Sequence, residues 1–235
     1  MKDLIIASTS TVYGGDYLDY LLDEMTQLYS DTEEVIFVPY ARPGGISHDA
    51  YTEKAAEAFA RINKKLVGLH TFSNPVEAIQ KAKGVFTGGG NTFVLVNALH
   101  KLKLMQPLNE AISNGLPYMG TSAGSNICGL TMMTTNDMPI VYPPSFKTLG
   151  VISFNLNPHY LDPNPTSQHM GETRETRIKE FHTQNNIPVV GLREGSWLRV
   201  KGKEITLNGK HTARIFEQGK EPYEIETSTS LSRLT

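Results

Sequence analysis

The sequence predicts an α/β fold in which a mostly parallel β-sheet is sandwiched by helices and followed by C-terminal antiparallel hairpins. Short apolar runs alternate with segments of helical periodicity as far as Leu192, a pattern typical of parallel strands joined by crossover helices. Beyond Leu192 the pattern changes to short strands separated by turn residues, which indicates hairpins. Proline-containing irregular stretches at Thr134–Thr148 and Tyr160–Gly171 are long for a compact domain and are expected to be functional loops.

The elements follow from these patterns in chain order. Parallel strands are predicted at Leu4–Ser8, Glu34–Tyr40, Lys65–Phe72, Gly84–Thr87, Pro117–Thr121, Val151–Asn157 and Ile187–Leu192. Helices are predicted at Tyr17–Tyr29, Ala50–Asn63, Pro75–Lys81, Thr92–Lys101, Pro107–Asn114, Ser125–Leu130 and Glu172–Thr183. Hairpin strands are predicted at Trp197–Val200, Glu204–Leu207 and Ala213–Phe216, with turns at Lys201-Gly202-Lys203 and Asn208-Gly209-Lys210.

The composition fits a single globular domain and argues against several classes of partner. The 235 residues fit a single α/β domain spanning residues 1–235, and 39% hydrophobic residues suffice for a large core. A net charge of −2 without a basic block argues against nucleic-acid partners. A single cysteine fits a reducing compartment, and no apolar run reaches the ~20 residues that cross a bilayer. We therefore expect a cytoplasmic monomer or homodimer without membrane partners.

The segment Gly120-Thr121-Ser122-Ala123-Gly124 joins a predicted strand to a predicted helix. A serine between small residues at such a junction is typical of a nucleophile elbow, a turn so tight that the hydroxyl is pushed out above the sheet. The alternative is an ordinary glycine turn in which Ser122 caps the helix. The functional interpretation requires a base, an orienting acid and an oxyanion site nearby.

A base and an acid are predicted at the ends of two strands. His159 follows the predicted strand Val151–Asn157, and Glu194 follows Ile187–Leu192. Ligand and catalytic groups of parallel sheets gather at the carboxyl ends of strands, so we expect His159 to accept the proton of Ser122 and Glu194 to orient its imidazole. Asp137, in the loop after the elbow helix, is the rival acid.

The segment Gly88-Gly89-Gly90-Asn91-Thr92 is the candidate oxyanion site. It follows a predicted strand and begins a helix, and glycines allow backbone N–H groups to approach a ligand closely. The expected donors are the N–H groups of Gly89, Gly90 and Ala123. The alternative is a tight turn with Asn91 or Thr92 as helix cap, and both can hold together.

No cofactor or metal is expected. The pairs His169 and Glu172, and His159 and Asp162, are too loosely spaced for a metal motif, and the chain has no His-Glu-x-x-His sequence or cysteine pair.

Several ordered motifs together resemble the peptidase E family, the α-aspartyl dipeptidases of serine peptidase family S51. They are the segments 88–93, 120–124, 134–140, 157–159, 171–174 with 177–178, and 191–195. The resemblance implies that Ser122 and His159 are the catalytic serine and histidine, and that Glu194 or Asp137 is the acid. It also implies a fold like the class I glutamine amidotransferases, no metal, and hydrolysis of dipeptides whose first residue is aspartate.

That substrate needs partners for a carboxylate and an ammonium group. A guanidinium matches a carboxylate with two parallel hydrogen bonds, and Arg174 is the preferred candidate, ahead of Arg193 and Arg42. Glu172 is the candidate for the ammonium group, or Asp137 if Glu194 completes the triad. Two rival functions stay open: a cyanophycinase-like peptidase acting on β-aspartyl-arginine, and a non-catalytic binding module on the same fold.

Overall fold

The computed structural model of the chain describes residues 1–164, 166, 168 and 170–234. Its strands are β1 (Asp3–Ala7), β2 (Glu34–Val38), β3 (Lys65–Gly68), β4 (Val85–Thr87), β5 (Tyr118–Thr121), β6 (Asn155–Pro158), β7 (Val189–Leu192), β8 (Ser196–Lys201), β9 (Glu204–Gly209), β10 (Ala213–Phe216) and β11 (Tyr223–Ile225). Its α-helices are α1 (Leu22–Leu28), α2 (His48–Ala60), α3 (Pro75–Lys81), α4 (Thr92–Lys101), α5 (Met105–Ser113), α6 (Ala123–Asn126) and α7 (Arg174–Phe181).

The larger sheet has seven strands in the order β3-β2-β4-β5-β1-β8-β9. The first five are parallel, and β8 and β9 add an antiparallel edge. Parallel strands covered on both faces are apolar throughout, and Leu4–Ala7 in β1 is accordingly buried without a break. In the register of β1 with β5, Ala7 pairs with Thr121, so both strands end beside the predicted elbow.

Helices cover both faces of this sheet. One face packs α1 and α2 through apolar side chains such as Met25 and Phe59. The other packs α3, α4 and α5, with Ile79, Leu95 and Leu108 in the core. In the described part of the chain, no helix combines the length and apolarity needed to cross a membrane. The predicted α/β sandwich is therefore confirmed, and α3 and α4 have the bounds the periodicity predicts.

A second sheet of four strands, in the order β11-β10-β7-β6, was not predicted as a separate unit. Strands β6 and β7 pair in parallel, whereas β7, β10 and β11 pair antiparallel. The strand predicted at Val151–Asn157 begins only at Asn155, because the backbone before it bends instead of pairing. The edge strand β11 was missed altogether.

One of the two predicted C-terminal turns is confirmed and the other is wrong. Lys201-Gly202-Lys203 joins β8 to β9 as a hairpin. Gly209, predicted in a turn, is instead the last residue of β9, where it pairs with Ser196. Its φ is 102°, and a Cβ there would collide with the carbonyl oxygen of Gly195, so this glycine permits a close backbone approach. The chain then crosses to the second sheet, where β10 pairs with β7.

Candidate active site

Three predicted site residues meet where the two sheets adjoin. Ser122 follows β5 of the larger sheet, whereas His159 and Glu194 follow β6 and β7 of the smaller one. The His159 ring nitrogen Nε2 lies 2.9 Å from the Ser122 hydroxyl oxygen. The other ring nitrogen, Nδ1, lies 2.6 Å from Oε1 of Glu194. This chain of hydrogen bonds is the geometry of a nucleophile, a general base and an orienting acid.

Ser122 adopts the strained backbone of an elbow. Its φ is 53° and its ψ is −111°, a conformation that non-glycine residues rarely adopt and that costs about 1–3 kcal/mol. The surrounding turn is very tight, since a Cβ on Gly120 would collide with the carbonyl oxygen of Gly124, and one on Gly124 with that of Thr87. The small residues of the motif are therefore required by close backbone packing, as the elbow interpretation predicts.

The backbone of His159 is held by a residue that the sequence motifs did not indicate. The buried Ser8 hydroxyl accepts a hydrogen bond from the His159 N–H at 2.8 Å and donates one to the Leu192 carbonyl at 2.7 Å. Ser8 follows β1 of the larger sheet, so it links that sheet to the ends of both β6 and β7. Its place at the end of a predicted parallel strand was the signal available in the sequence.

The two candidate acids have different partners. Glu194 contacts His159, whereas Oδ2 of Asp137 accepts hydrogen bonds from the Thr92 N–H at 2.7 Å and the Thr135 hydroxyl at 3.0 Å. Asp137 thus fixes its loop to the first turn of α4. The geometry favours Glu194 as the orienting acid and does not support Asp137 in that position.

The glycine loop lies directly beside the serine. A Cβ added to Gly89 would lie 3.0 Å from the Ser122 Cβ and 3.5 Å from its hydroxyl oxygen. Within the described residues, the backbone N–H groups of Gly89, Gly90 and Ala123 donate no hydrogen bond. The capping alternative also holds, because the Asn91 side chain accepts from the Val94 N–H at 3.1 Å. Asn91 therefore caps the helix while the N–H groups of Gly89, Gly90 and Ala123 have no partner among the described residues, so both interpretations of the sequence hold together.

A cavity of about 220 Å³ opens at Ser122 and His159. Arg174 and Asp137, both predicted site residues, line it together with side chains that were not predicted. These additional lining residues are Thr92, Asn126, Thr135 and Asn136. Glu172 is not among the lining residues; its carboxylate is exposed and lies 3.7 Å from Nε of Arg177.

A larger groove of about 720 Å³, beside Glu34 and Phe72, contains none of the predicted site residues.

Arg174 begins α7, whose first turn is capped by the Thr173 side chain. Its Nη1 atom is buried and has no hydrogen-bond partner among the described residues. Burial lowers the pKa of Arg174, and the positive charge of Arg177 acts in the same direction, whereas Glu194, Tyr160 and Asp137 act to raise it. Because a guanidinium remains charged at neutral pH, Arg174 is a residue of the cavity wall whose side chain carries an unsatisfied cationic donor.

The two other candidate arginines are already engaged. Arg193 makes paired hydrogen bonds to Asp162 at 2.8 and 2.7 Å and also contacts Glu224. These hydrogen bonds raise the pKa of Arg193. The Arg42 guanidinium lies over the Tyr51 ring, 5.2 Å from its centroid.

Among the residues that the structure describes, no group of three or more His, Cys, Asp or Glu side chains is arranged to hold a metal ion. His169, which forms a loosely spaced pair with Glu172 in the sequence, lies outside the described residues.

Comparison with known proteins agrees with the motifs. The sequence model described as Peptidase family S51 matches residues 4–208. The chain belongs to peptidase family S51. Its membership confirms the predicted resemblance and makes the chain a peptidase hydrolase.

Two relatives and one solved structure match nearly the whole chain. A Streptomyces coelicolor protein named Peptidase E is 46% identical over 232 residues, covering 99% of this chain and 94% of the relative. A Drosophila melanogaster protein named Probable alpha-aspartyl dipeptidase is 42% identical over 219 residues, covering 92% and 90%. The crystal structure of a putative peptidase E from Listeria monocytogenes EGD-e shares the fold, with a TM-score of 0.68 at 20% identity over 90% of this chain and 100% of that one.

Proposed function

We propose that this chain is a cytoplasmic serine dipeptidase that hydrolyses dipeptides with an N-terminal aspartate. The observation that carries the proposal is that Arg174, whose buried Nη1 has no partner among the described residues, lines the same small cavity as Ser122 and His159. A free N-terminal aspartate supplies the carboxylate that this donor lacks. The names of the Streptomyces and Drosophila relatives support the same substrate class.

In the acylation step, His159 Nε2 takes the proton of the Ser122 hydroxyl, and the oxygen attacks the carbonyl carbon of the Asp-X bond. Glu194 accepts a hydrogen bond from Nδ1, which fixes the imidazole tautomer and stabilises the imidazolium. The tetrahedral oxyanion is held by the N–H groups of Gly89, Gly90 and Ala123, each donor being worth about 3 kcal/mol of transition-state stabilisation. His159 then gives its proton to the leaving amine, and the C–N bond breaks.

In the second step, water hydrolyses the aspartyl ester of Ser122. His159 Nε2 takes a proton from the water, and the hydroxide adds to the ester carbonyl. Collapse of the tetrahedral intermediate breaks the C–Oγ bond, and His159 returns the proton to Ser122. Aspartate leaves and the free hydroxyl is restored.

Substrate selection is assigned to opposite charges across the cavity. Arg174 binds the side-chain carboxylate of the aspartate. Asp137 binds the ammonium group, since its Oδ2 is already occupied by Thr92 and Thr135 whereas Oδ1 has no partner among the described residues. Asn126 offers a second acceptor, because its Nδ2 donates to the Leu156 carbonyl and its buried Oδ1 is unpartnered within the described chain. Glu172 is the less favoured candidate because it does not line the cavity.

Substitution of Arg174 tests this selection. We expect Arg174→Ala to lower kcat/KM for Asp-Leu roughly 100-fold, because a charge-assisted hydrogen bond to the substrate is lost. The much slower cleavage of Ala-Leu should change little. Arg177→Ala is the matched control, since Arg177 lies on the same helix but is exposed and outside the cavity. An equal loss of kcat/KM on both dipeptides would show that Arg174 supports the structure and does not select the substrate.

The same assay separates the rival functions. Preferential cleavage of β-Asp-Arg over Asp-Leu would favour a cyanophycinase-like activity. Absence of turnover on every dipeptide by the folded wild-type protein would favour a binding module.

A further inference from the structure

The Tyr51 hydroxyl contacts the glycine loop, and Tyr51 is not among the residues that line the cavity. Tyr51 lies in α2, is 4% exposed, and donates a hydrogen bond to the Gly89 carbonyl at 3.1 Å. The Tyr17 hydroxyl lies 3.5 Å from that of Tyr51. The proposed acylation and deacylation steps give Tyr51 no role, although its partner belongs to the loop that holds the oxyanion.

Tyr51 and Ser122 approach this loop at two adjacent glycines. A Cβ added to Gly88 would collide with the Tyr51 hydroxyl, whereas one added to Gly89 would point at Ser122 and lie 3.0 Å from its Cβ. The absence of a side chain at position 88 is thus what allows the tyrosine hydroxyl to reach the backbone. The absence of one at position 89 allows the same backbone to approach the serine.

The hydrogen bond to Gly89 fixes the direction of the next N–H group. The Gly89 carbonyl and the Gly90 N–H belong to one planar trans peptide unit, so they point in opposite directions. Holding the carbonyl toward Tyr51 therefore directs the Gly90 N–H away from Tyr51. The far end of the unit is also held, because Gly90 packs against Ala41 and the Asn91 N–H donates to the Ala41 carbonyl at 2.7 Å.

We propose that Tyr51 is a positioning residue of the reaction, whose hydroxyl holds the Gly89–Gly90 peptide with the Gly90 N–H toward the oxyanion. The inference rests on the proposed serine peptidase mechanism and deepens it. Three successive glycines have little conformational preference of their own, so the peptide can rotate when the carbonyl loses its donor. The hydroxyl thus acts on the transition state through the backbone, without touching the substrate.

The surroundings of Tyr51 suit this role. Its ring makes an edge contact with Phe37, at 4.9 Å between centroids, and the Arg42 guanidinium covers its face. Burial raises the pKa of Tyr51, so the hydroxyl keeps the proton that it donates. A phenylalanine at position 51 preserves the ring packing and removes only the hydroxyl, with its hydrogen bond to Gly89 and its contact with Tyr17.

The test compares Tyr51→Phe with Tyr29→Phe. Tyr29 is a matched control, since it is fully buried and its hydroxyl donates to the Val85 carbonyl at 2.8 Å, at the opposite end of β4 from the glycine loop. We expect Tyr51→Phe to lower kcat for Asp-Leu roughly 10- to 100-fold, short of the loss of a whole oxyanion donor, with KM unchanged. An aldehyde analogue of aspartate, which adds to serine to form a tetrahedral oxyanion, should bind more weakly by a similar factor. Inhibition by free aspartate should not change.

Melting temperatures of both variants show whether they lose stability equally. The inference is overturned if Tyr51→Phe keeps wild-type kcat and aldehyde affinity, or if Tyr29→Phe loses as much kcat at equal stability. Ser122→Ala, assayed in parallel, separates this failure from failure of the mechanism. Turnover by Ser122→Ala refutes the serine mechanism itself, whereas an inactive Ser122→Ala beside a fully active Tyr51→Phe refutes only the role of Tyr51.

Discussion

The two sheets contribute to the site in different ways. The larger sheet supplies Ser122 and the glycine loop. The turn at Ser122 is tightly packed, since a Cβ on Gly120 or Gly124 would collide with the neighbouring backbone. The smaller sheet supplies His159 and Glu194, which reach the serine only because the two sheets are joined. The proposed nucleophile is therefore shaped by contacts within one sheet, whereas its base and acid depend on contacts between the two sheets.

This difference predicts that substitutions at the two kinds of position reduce activity in different ways. Changes at His159 and Glu194 should abolish chemistry without altering the serine turn. Changes at the contacts between the sheets should misplace the proposed base while Ser122, His159 and Glu194 are all still present.

Among the changes at the smaller sheet and at its contacts with the larger one, the largest effect is expected at the acid. Glu194→Gln should lower kcat about 10⁴-fold, because an amide neither fixes the imidazole tautomer nor stabilises the imidazolium. Asp137→Asn, the matched change at the rival acid, should act mainly by raising KM, since Asp137 is assigned to the substrate ammonium group. Steady-state kinetics with Asp-Leu measure both. The reverse order, with kcat collapsing only in Asp137→Asn, would make Asp137 the triad acid.

A smaller effect is expected at Ser8, which links the sheets through the His159 N–H and the Leu192 carbonyl. Ser8→Ala leaves two buried backbone groups without their partner, which should cost about 1–3 kcal/mol of unfolding free energy. It should also lower kcat by roughly 10-fold or more, since displacement of a catalytic group is costly. Denaturant unfolding and Asp-Leu kinetics provide the two readouts. A stability loss with unaltered kcat would show that Ser8 does not position His159.

The smallest effect concerns acid stability of the second sheet. Burial raises the pKa of Glu224, but hydrogen bonds from Arg193, Thr212 and Arg214 outweigh it and lower the pKa from 4.5 to about 2. A carboxyl group with a lowered pKa stabilises the fold fully above its unfolded pKa, and this contribution is lost as pH falls from 4.5 to about 2. The difference in melting temperature between wild type and Glu224→Gln should shrink across that range. A difference independent of pH would contradict the role of the Glu224 charge.

The sequence predicted those parts of the site that lie at strand ends. Ser122, His159 and Glu194 were identifiable because the residues after parallel strands gather at one edge of a sheet. The division into two sheets was not identifiable, because periodicity shows that a segment is a strand but not which strand it pairs with. Asn208-Gly209 has the composition of a turn, yet the close approach to Gly195 makes Gly209 the end of β9. No local pattern indicates the contact of Tyr51 with Gly89, and the strand-end position of Ser8 does not show which distant backbone groups it holds.

Hydrolysis of Asp-Leu by wild type and Ser122→Ala, compared at matched stability, tests the central claim most directly. The account predicts that wild type releases aspartate and leucine. Ser122→Ala should retain the same melting temperature and lose kcat by a factor on the order of 10⁶, as expected when the nucleophile of a serine triad is removed. Release of aspartate by Ser122→Ala at a rate comparable to wild type would contradict it.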